Sequence, residues 1–220
     1  MSINDEARRL ADDGYECLAR GDLNKGALLI NRAFALDPGD VVVLNVQGVL
    51  CLKKGKAWQA LQLFYVVLRS LMKIGQNGSM LVSSVRRNMD LAIEEMAKEG
   101  LAHLRASRPA RAKEIFYQVL QFSLENQQLR KNLVSALEAN GEDYMAFRCA
   151  KSLALDCIES QKKSSIVMEK LPAAIKLFVS SRREKAFEEA KEDLLRIIEG
   201  LQATAGNLSS IKKVLSIFFS

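Results

Sequence analysis

A period of 34 residues constrains this chain more than any other feature of it. The segment from Gly21 to Phe34 returns in type from Gly55 to Leu68, and Gly14 and Gly48 keep the same displacement. The unit comes back at Ser107, with Ala112, Phe116, Val119 and Leu120, and 34 residues later at Gly141, with Ala146, Ala150, Leu153 and Ala154. Gly100 precedes Ser107 by the seven residues that separate Gly14 from Gly21 and Gly48 from Gly55, so both halves of the unit recur. Physically, this spacing describes a helix, a tight turn and a second, antiparallel helix. A small residue in the first helix lets the second approach closely, and glycine permits the turn. Apolar residues at helical spacing give the second helix one face that it cannot bury alone. Stacking such pairs buries that face and leaves a concave surface, the logic of a helical solenoid.

Composition agrees with an all-α class. Among 220 residues, 49% hydrophobic and 26% charged, only three are proline, and Ala, Leu, Lys, Glu and Arg dominate. The spacing predicts paired helices at about 5–20 with 23–36, 41–54 with 57–73, 93–106 with 109–123, and 127–139 with 143–158. Ser107 and Pro109 suit an N-cap and a first helical turn. Residues 1–73 hold the first two repeats, 74–92 an inserted turn and helix extension, and 93–160 the third and fourth repeats. The turn cluster Gly75-Gln76-Asn77-Gly78-Ser79 should break the stack, and the unbroken periodicity after it predicts one long helix over 79–106. Residues 161–220 read as a degenerate fifth repeat, about 171–204, followed by a helix over 207–220 that caps the last repeat or lies on a membrane surface.

The segment from Glu6 to Pro38, closing on Leu36-Asp37-Pro38, resembles a tetratricopeptide repeat. Later units depart from that pattern: Ser107 replaces a turn glycine, and the closing proline is missing at Met72, Leu124 and Ser160. The resemblance implies an α-solenoid of four or five pairs and a protein or peptide partner held in its groove, with no catalysis. One subset of that family grips a C-terminal carboxylate through a lysine- and asparagine-rich clamp on successive first helices. Here the corresponding faces carry Arg8, Ala11, Tyr15 and Leu18, then Val42, Asn45, Val49 and Lys53, so only Asn45 and Lys53 have clamp chemistry. The groove is expected to be mixed apolar and basic, formed by Arg8, Tyr15, Asn45, Val49 and Lys53 and continued by Glu94, Leu101, Arg105, Lys131, Ser135 and Glu138. It would suit an extended or amphipathic segment with apolar anchors and some acidic residues.

Other chemistry finds little support. The single histidine, His103, lies between Leu101 and Leu104 and reads as a core or rim residue, and no phosphate loop, dinucleotide loop, nucleophile elbow or zinc motif occurs. No cofactor or metal is expected. Cys17, Cys51, Cys149 and Cys157 are too dispersed for a cluster and read as reduced core thiols. With no signal-like segment at the N-terminus and no long apolar span, since the run from Val41 to Leu52 stops at Lys53-Lys54, the expected location is cytoplasmic.

The charge is unevenly spread. Net charge is +6, yet no acidic residue falls between Asp40 and Asp90, where Lys53, Lys54, Lys56, Arg69, Lys73, Arg86 and Arg87 lie. This basic block is either a solvated face balanced by neighbouring helices or a docking surface for an acidic partner or a phosphate backbone. Trp58, Tyr65, Tyr117 and Phe122 fall on second helices, some at packing positions and some on the outer face, with core packing the default, and nucleic-acid binding is disfavoured. An adaptor or chaperone is the preferred reading. The alternative is a regulatory or targeting subunit of an enzyme or membrane-associated assembly, docking through 53–87 or the C-terminal helix. Oligomeric state is open.

Overall fold

The computed structural model describes residues 2–76 and 78–159. The expected fifth repeat and the helix over 207–220 lie outside the described residues. Eight helices occur among those described: α1 (Ile3–Ala19), α2 (Leu23–Leu36), α3 (Val41–Lys53), α4 (Ala57–Lys73), α5 (Met80–Arg105), α6 (Pro109–Leu120), α7 (Gln127–Ala139) and α8 (Asp143–Glu159). The predicted pairs are these helices, with α6 ending three residues early and α5 running unbroken for 26 residues. The chain divides into two compact units, the first ending at Lys98 and the second starting at Glu99.

In the first unit α1 packs on α2, α3 on α4, and α3 also lies against α1 and α2. Ala7, Leu10, Ala11 and Leu18 of α1, Ile30 and Ala33 of α2, and Val43, Val46 and Leu50 of α3 form one buried cluster. Each large aliphatic side chain so buried contributes about 1.5–3 kcal/mol. The N-terminal turns of α5 belong to this unit and bury Val82, Val85 and Met89. In the second unit α7 packs on both α6 and α8.

Each hairpin closes in the same way. At Gly21, Gly55, Ser107 and Gly141 the chain enters the left-handed region, with φ of 86°, 70°, 55° and 73°. Each of these residues donates its N–H to a carbonyl three residues back, and the next residue donates to one five back: Asp22 to Cys17, Lys56 to Cys51, Arg108 to His103 and Glu142 to Leu137. This paired bond satisfies the carbonyls left over at a helix C-terminus. Glycine adopts that conformation freely, whereas Ser107 adopts it with a Cβ. Ser107 is therefore the turn residue, not the N-cap expected of it; Arg108 holds the N-cap position of α6 without a side-chain bond, and Pro109 opens the helix.

The hairpins also share an internal contact. A Cβ built on Gly14 would lie 2.5 Å from Ile30 Cγ1, one on Gly48 2.5 Å from Phe64 Cε1, and one on Gly100 2.7 Å from Phe116 Cε1. In every case a large residue sixteen positions on fills the space that glycine leaves in the first helix. At the fourth unit the same register holds Val134 and Ala150, both buried, so the large residue has moved to the first helix and the small one to the second.

Helix starts tie the hairpins together. Ser2 and Asp5 form a reciprocal cap on α1, Asp22 accepts from Lys25 N at the start of α2, Ser79 Oγ from Val82 N at α5, and Asn126 from Leu129 N at α7. Asp40 does more. Its Oδ1 accepts from Val42 N at 2.8 Å and Val43 N at 3.1 Å, while its Oδ2 receives Arg8 Nε at 2.8 Å and Nη2 at 2.7 Å. The carboxylate that caps α3 is thus also gripped from α1. In the second unit Lys113 of α6 makes an ion pair with Glu142, which Asn140 also contacts, fixing the turn before α8.

Candidate functional site

The 34-residue register sorts the first helices into faces. One position after the contact glycine stand Tyr15, Val49, Leu101 and, in the inverted fourth unit, Ser135. Tyr15 is 50% exposed, and Val49, Leu101 and Ser135 are half-buried. Four residues further on stand Ala19, Lys53, Arg105 and Ala139, all exposed. These two rows contain six of the residues assigned to the groove from sequence, Tyr15, Val49, Lys53, Leu101, Arg105 and Ser135, and on α1 the acids Asp12, Asp13 and Glu16 are exposed as well.

Within the first unit these residues are Tyr15, Val49 and Lys53, on helices that lie side by side. Arg8 lies one turn or more nearer the start of α1. Its guanidinium is half exposed but committed to Asp40, and this contact raises the Arg8 pKa. Burial alone would raise the Asp40 carboxyl as well. The bonds from Arg8 and from the Val43 and Val42 N–H groups outweigh burial and hold Asp40 below the ordinary carboxylate value.

Asn45 is the sequence-assigned residue that the structure withdraws from the open face. It is buried, and its Oδ1 accepts from Asn88 Nδ2 of α5 at 3.3 Å. Its register equivalent on α1 is Ala11, which is fully buried. The position faces inward in both hairpins, and in the second the extra N-terminal turns of α5 supply its amide partner. Asn45 is a structural contact between α3 and α5, not an available ligand.

In the second unit Leu101 and Arg105 lie at the end of α5, and Lys131 and Ser135 on α7. Lys131 and Ser135 are half-buried and Arg105 is exposed, as is Glu94 of the first unit. Lys131 and Glu138 are engaged by other groups of the protein. His103 is a rim residue, with Nε2 3.9 Å from Glu99 Oε1.

All seven cations of the acid-free stretch are exposed, and none makes an ion pair among the described residues. Of the aromatic residues expected on second helices, Trp58 is half-buried on α4, Phe122 lies past the end of α6 and is half-buried, and Tyr65 and Tyr117 are 44% and 37% exposed. Those two tyrosines are the ones on the outer face. Cys17, Cys51 and Cys149 are free, and burial pushes the Cys51 and Cys149 thiols up despite nearby cations; the Cys157 side chain lies outside the described residues. Among the described residues no group of three His, Cys, Asp or Glu could hold a metal ion, and no helix is long and apolar enough to cross a membrane.

Neither a family model nor a curated protein matches the sequence. Similar solved structures include the MamA RS-1 ArsTM double mutant, at 15% identity over 94% of this chain and 100% of that one, with a TM-score of 0.37. Another is PilF of Pseudomonas aeruginosa, at 15% identity over 98% and 99% with a TM-score of 0.36. A third is the TPR2AB domain of yeast Sti1 in complex with an HSP90 peptide, at 13% identity over 97% of each chain with a TM-score of 0.38. Overall superposition at this level carries no functional weight. The hairpins speak for themselves: a 34-residue period, left-handed turn residues closing with the same pair of hydrogen bonds, and a small-to-large contact sixteen residues apart make the described pairs tetratricopeptide-like.

Proposed function

We propose that this chain is a non-catalytic adaptor or chaperone of the cytoplasm that holds a segment of a partner protein against its first helices. The observation that carries this reading is the pair of solvent-facing rows on those helices. Tyr15, Val49 and Lys53 in the first unit, and Leu101, Arg105 and Ser135 in the second, recur in register where buried positions would otherwise serve packing. Their chemistry is one aromatic, two aliphatic, two cationic and one hydroxyl side chain. Tyrosine and half-buried aliphatic groups give apolar anchoring at low entropic cost, and the cations select acidic residues and set orientation. The free cysteines accord with a reducing compartment.

The test is affinity capture from the native cells by the tagged chain, beside a Tyr15→Ala, Val49→Ser, Lys53→Glu variant, with nuclease in both lysates. Tyr15 and Lys53 are exposed and Val49 is only partly buried, so the variant should keep its fold, which a urea midpoint close to the wild-type value would verify. A protein recovered by the wild type and lost by the folded variant is the expected result. Equal recovery of every partner by both would refute the assignment of this face.

A further inference from the structure

The outward face of α4 is a second surface, on the other helix of the α3–α4 hairpin. Ala57, Ala60, Leu61, Phe64, Val67 and Leu71 point into the core. At about 100° per residue, Met72, Tyr65, Arg69, Gln62, Lys73 and Val66 then follow one another around an arc of about 120° that runs from the flank beside Leu61 to the far side. Tyr65, Val66 and Met72 are 44%, 48% and 52% exposed, and Arg69 and Lys73 are exposed as well. Three more cations, Lys53, Lys54 and Lys56, are exposed at the turn that leads into this helix. No acidic residue lies anywhere from Val41 to Met89, and none of these five cations makes an ion pair among the described residues. A second helix in a stable hairpin needs only its inner face apolar; a solvated outer face would be mixed in charge.

We propose that this face docks an acidic amphipathic helix of a partner protein. Tyr65 and Met72 are seven residues apart, about 10.5 Å along the axis, which is the spacing of positions i and i+7 on a facing helix. Apolar residues of the partner at i and i+7 meet Tyr65 and Met72, with Val66 at the far edge of the arc. Its flanking carboxylates meet Arg69 and Lys73, and its further acids meet the lysines of the turn. Charge complementarity decides among occupants. A second copy of the same α4 face would set cation against cation. Single-stranded nucleic acid needs successive exposed rings to stack bases, and α4 offers Tyr65 with Trp58 half-buried. A lipid surface needs a broad bulky apolar face that can sink below the headgroups, whereas Tyr65, Val66 and Met72 are only about half exposed.

This proposal stands apart from the first-helix reading and is tested separately. The full chain is titrated into a labelled synthetic helix with leucines at i, i+3, i+4 and i+7 and glutamates elsewhere, followed by fluorescence anisotropy. Comparison probes carry lysine for glutamate or serine for leucine, and a poly-dT oligonucleotide and phosphatidylserine-containing vesicles complete the set. The expected result is binding of the glutamate–leucine helix alone. Arg69→Glu with Lys73→Glu, or Tyr65→Ser with Met72→Ser, should weaken it by roughly tenfold or more, the effect of 1.4 kcal/mol. A Tyr15→Ala, Val49→Ser variant, which leaves Lys53 in place, should bind it as the wild type does. The proposal is overturned if that helix does not bind or if the lysine or serine version binds equally well. Tighter binding of the oligonucleotide or vesicles, or undiminished binding by folded α4 variants, overturns it too.

Discussion

Replacing Gly48 by alanine probes the contact on which the hairpin geometry depends. The new methyl carbon would lie 2.5 Å from Phe64 Cε1 and 2.9 Å from both Cδ1 and Cζ. Ordinary carbon contacts run at about 3.5–4.0 Å, so the ring or the helix must retreat by about 1 Å. Phe64 is fully buried and has nowhere to go without disturbing its neighbours. Overpacking of this kind costs about 1–3 kcal/mol; with three ring atoms involved, the upper end applies. Alanine in place of glycine inside a helix returns about 1 kcal/mol. The net expectation is a loss of about 2 kcal/mol.

The same substitution made beside Phe64→Ala should act in the opposite sense. Phe64→Ala alone costs about 3–5 kcal/mol through the cavity it leaves. In that background the methyl introduced at position 48 meets space instead of a ring, and the helix-propensity gain of about 1 kcal/mol stands unopposed. The double-mutant cycle therefore carries a coupling of about 3 kcal/mol. Urea unfolding followed by circular dichroism gives all four stabilities, with the slope checked for constancy across the set. Equal effects of Gly48→Ala in both backgrounds would refute the close-approach account of the repeat.

Three further outcomes follow from the geometry. Ser107→Gly should stabilise the protein by about 0.5–1 kcal/mol, because relief of a left-handed Cβ outweighs the extra freedom of the unfolded chain; a lower urea midpoint would contradict the turn assignment. Asp40 is depressed in the folded state, so its contribution is present above about pH 4 and lost as pH falls through the lower folded value; Arg8→Met should flatten that acid limb in a pH series of midpoints, and an unchanged limb would show the ion pair to be inert. Asn45→Ala should cost about 1 kcal/mol by stranding the Asn88 amide, with partner capture unchanged; loss of capture by the folded variant would restore Asn45 to the binding face.

The helix pairs are legible in the sequence because their causes are local. The turn glycines, the apolar stripe on each second helix and the unbroken spacing over 79–106 lie within a few turns of one another, and α1 to α8 form where they predict, save that α6 ends three residues early. Arg8 and Asn45 escape sequence reasoning because their partners are remote. Asp40 lies 32 residues from Arg8 and Asn88 lies 43 from Asn45, and nothing local marks either contact. A signal exists for Asn45: its register equivalent, Ala11, is a small residue on a packed face, and a polar residue at that position is more readily an internal hydrogen-bonding group than a ligand. Serine commonly caps helices, which misleads at Ser107, although its place in the period is that of a turn glycine. The exchange of size between Val134 and Ala150 is visible in the sequence as well, once the sixteen-residue contact is known.

The central claim, that a partner segment lies along the outward row of the first helices, is tested most directly by photocrosslinking in the native cells. A photoreactive phenylalanine analogue would be placed at Tyr15, at the half-buried Val49, and at Leu28, which is 72% exposed on the second helix of the first hairpin. The expected result is a crosslinked protein adduct of the same mass from positions 15 and 49 and none of that mass from position 28. Adducts from position 28 alone, or the same adduct from all three, would contradict the claim.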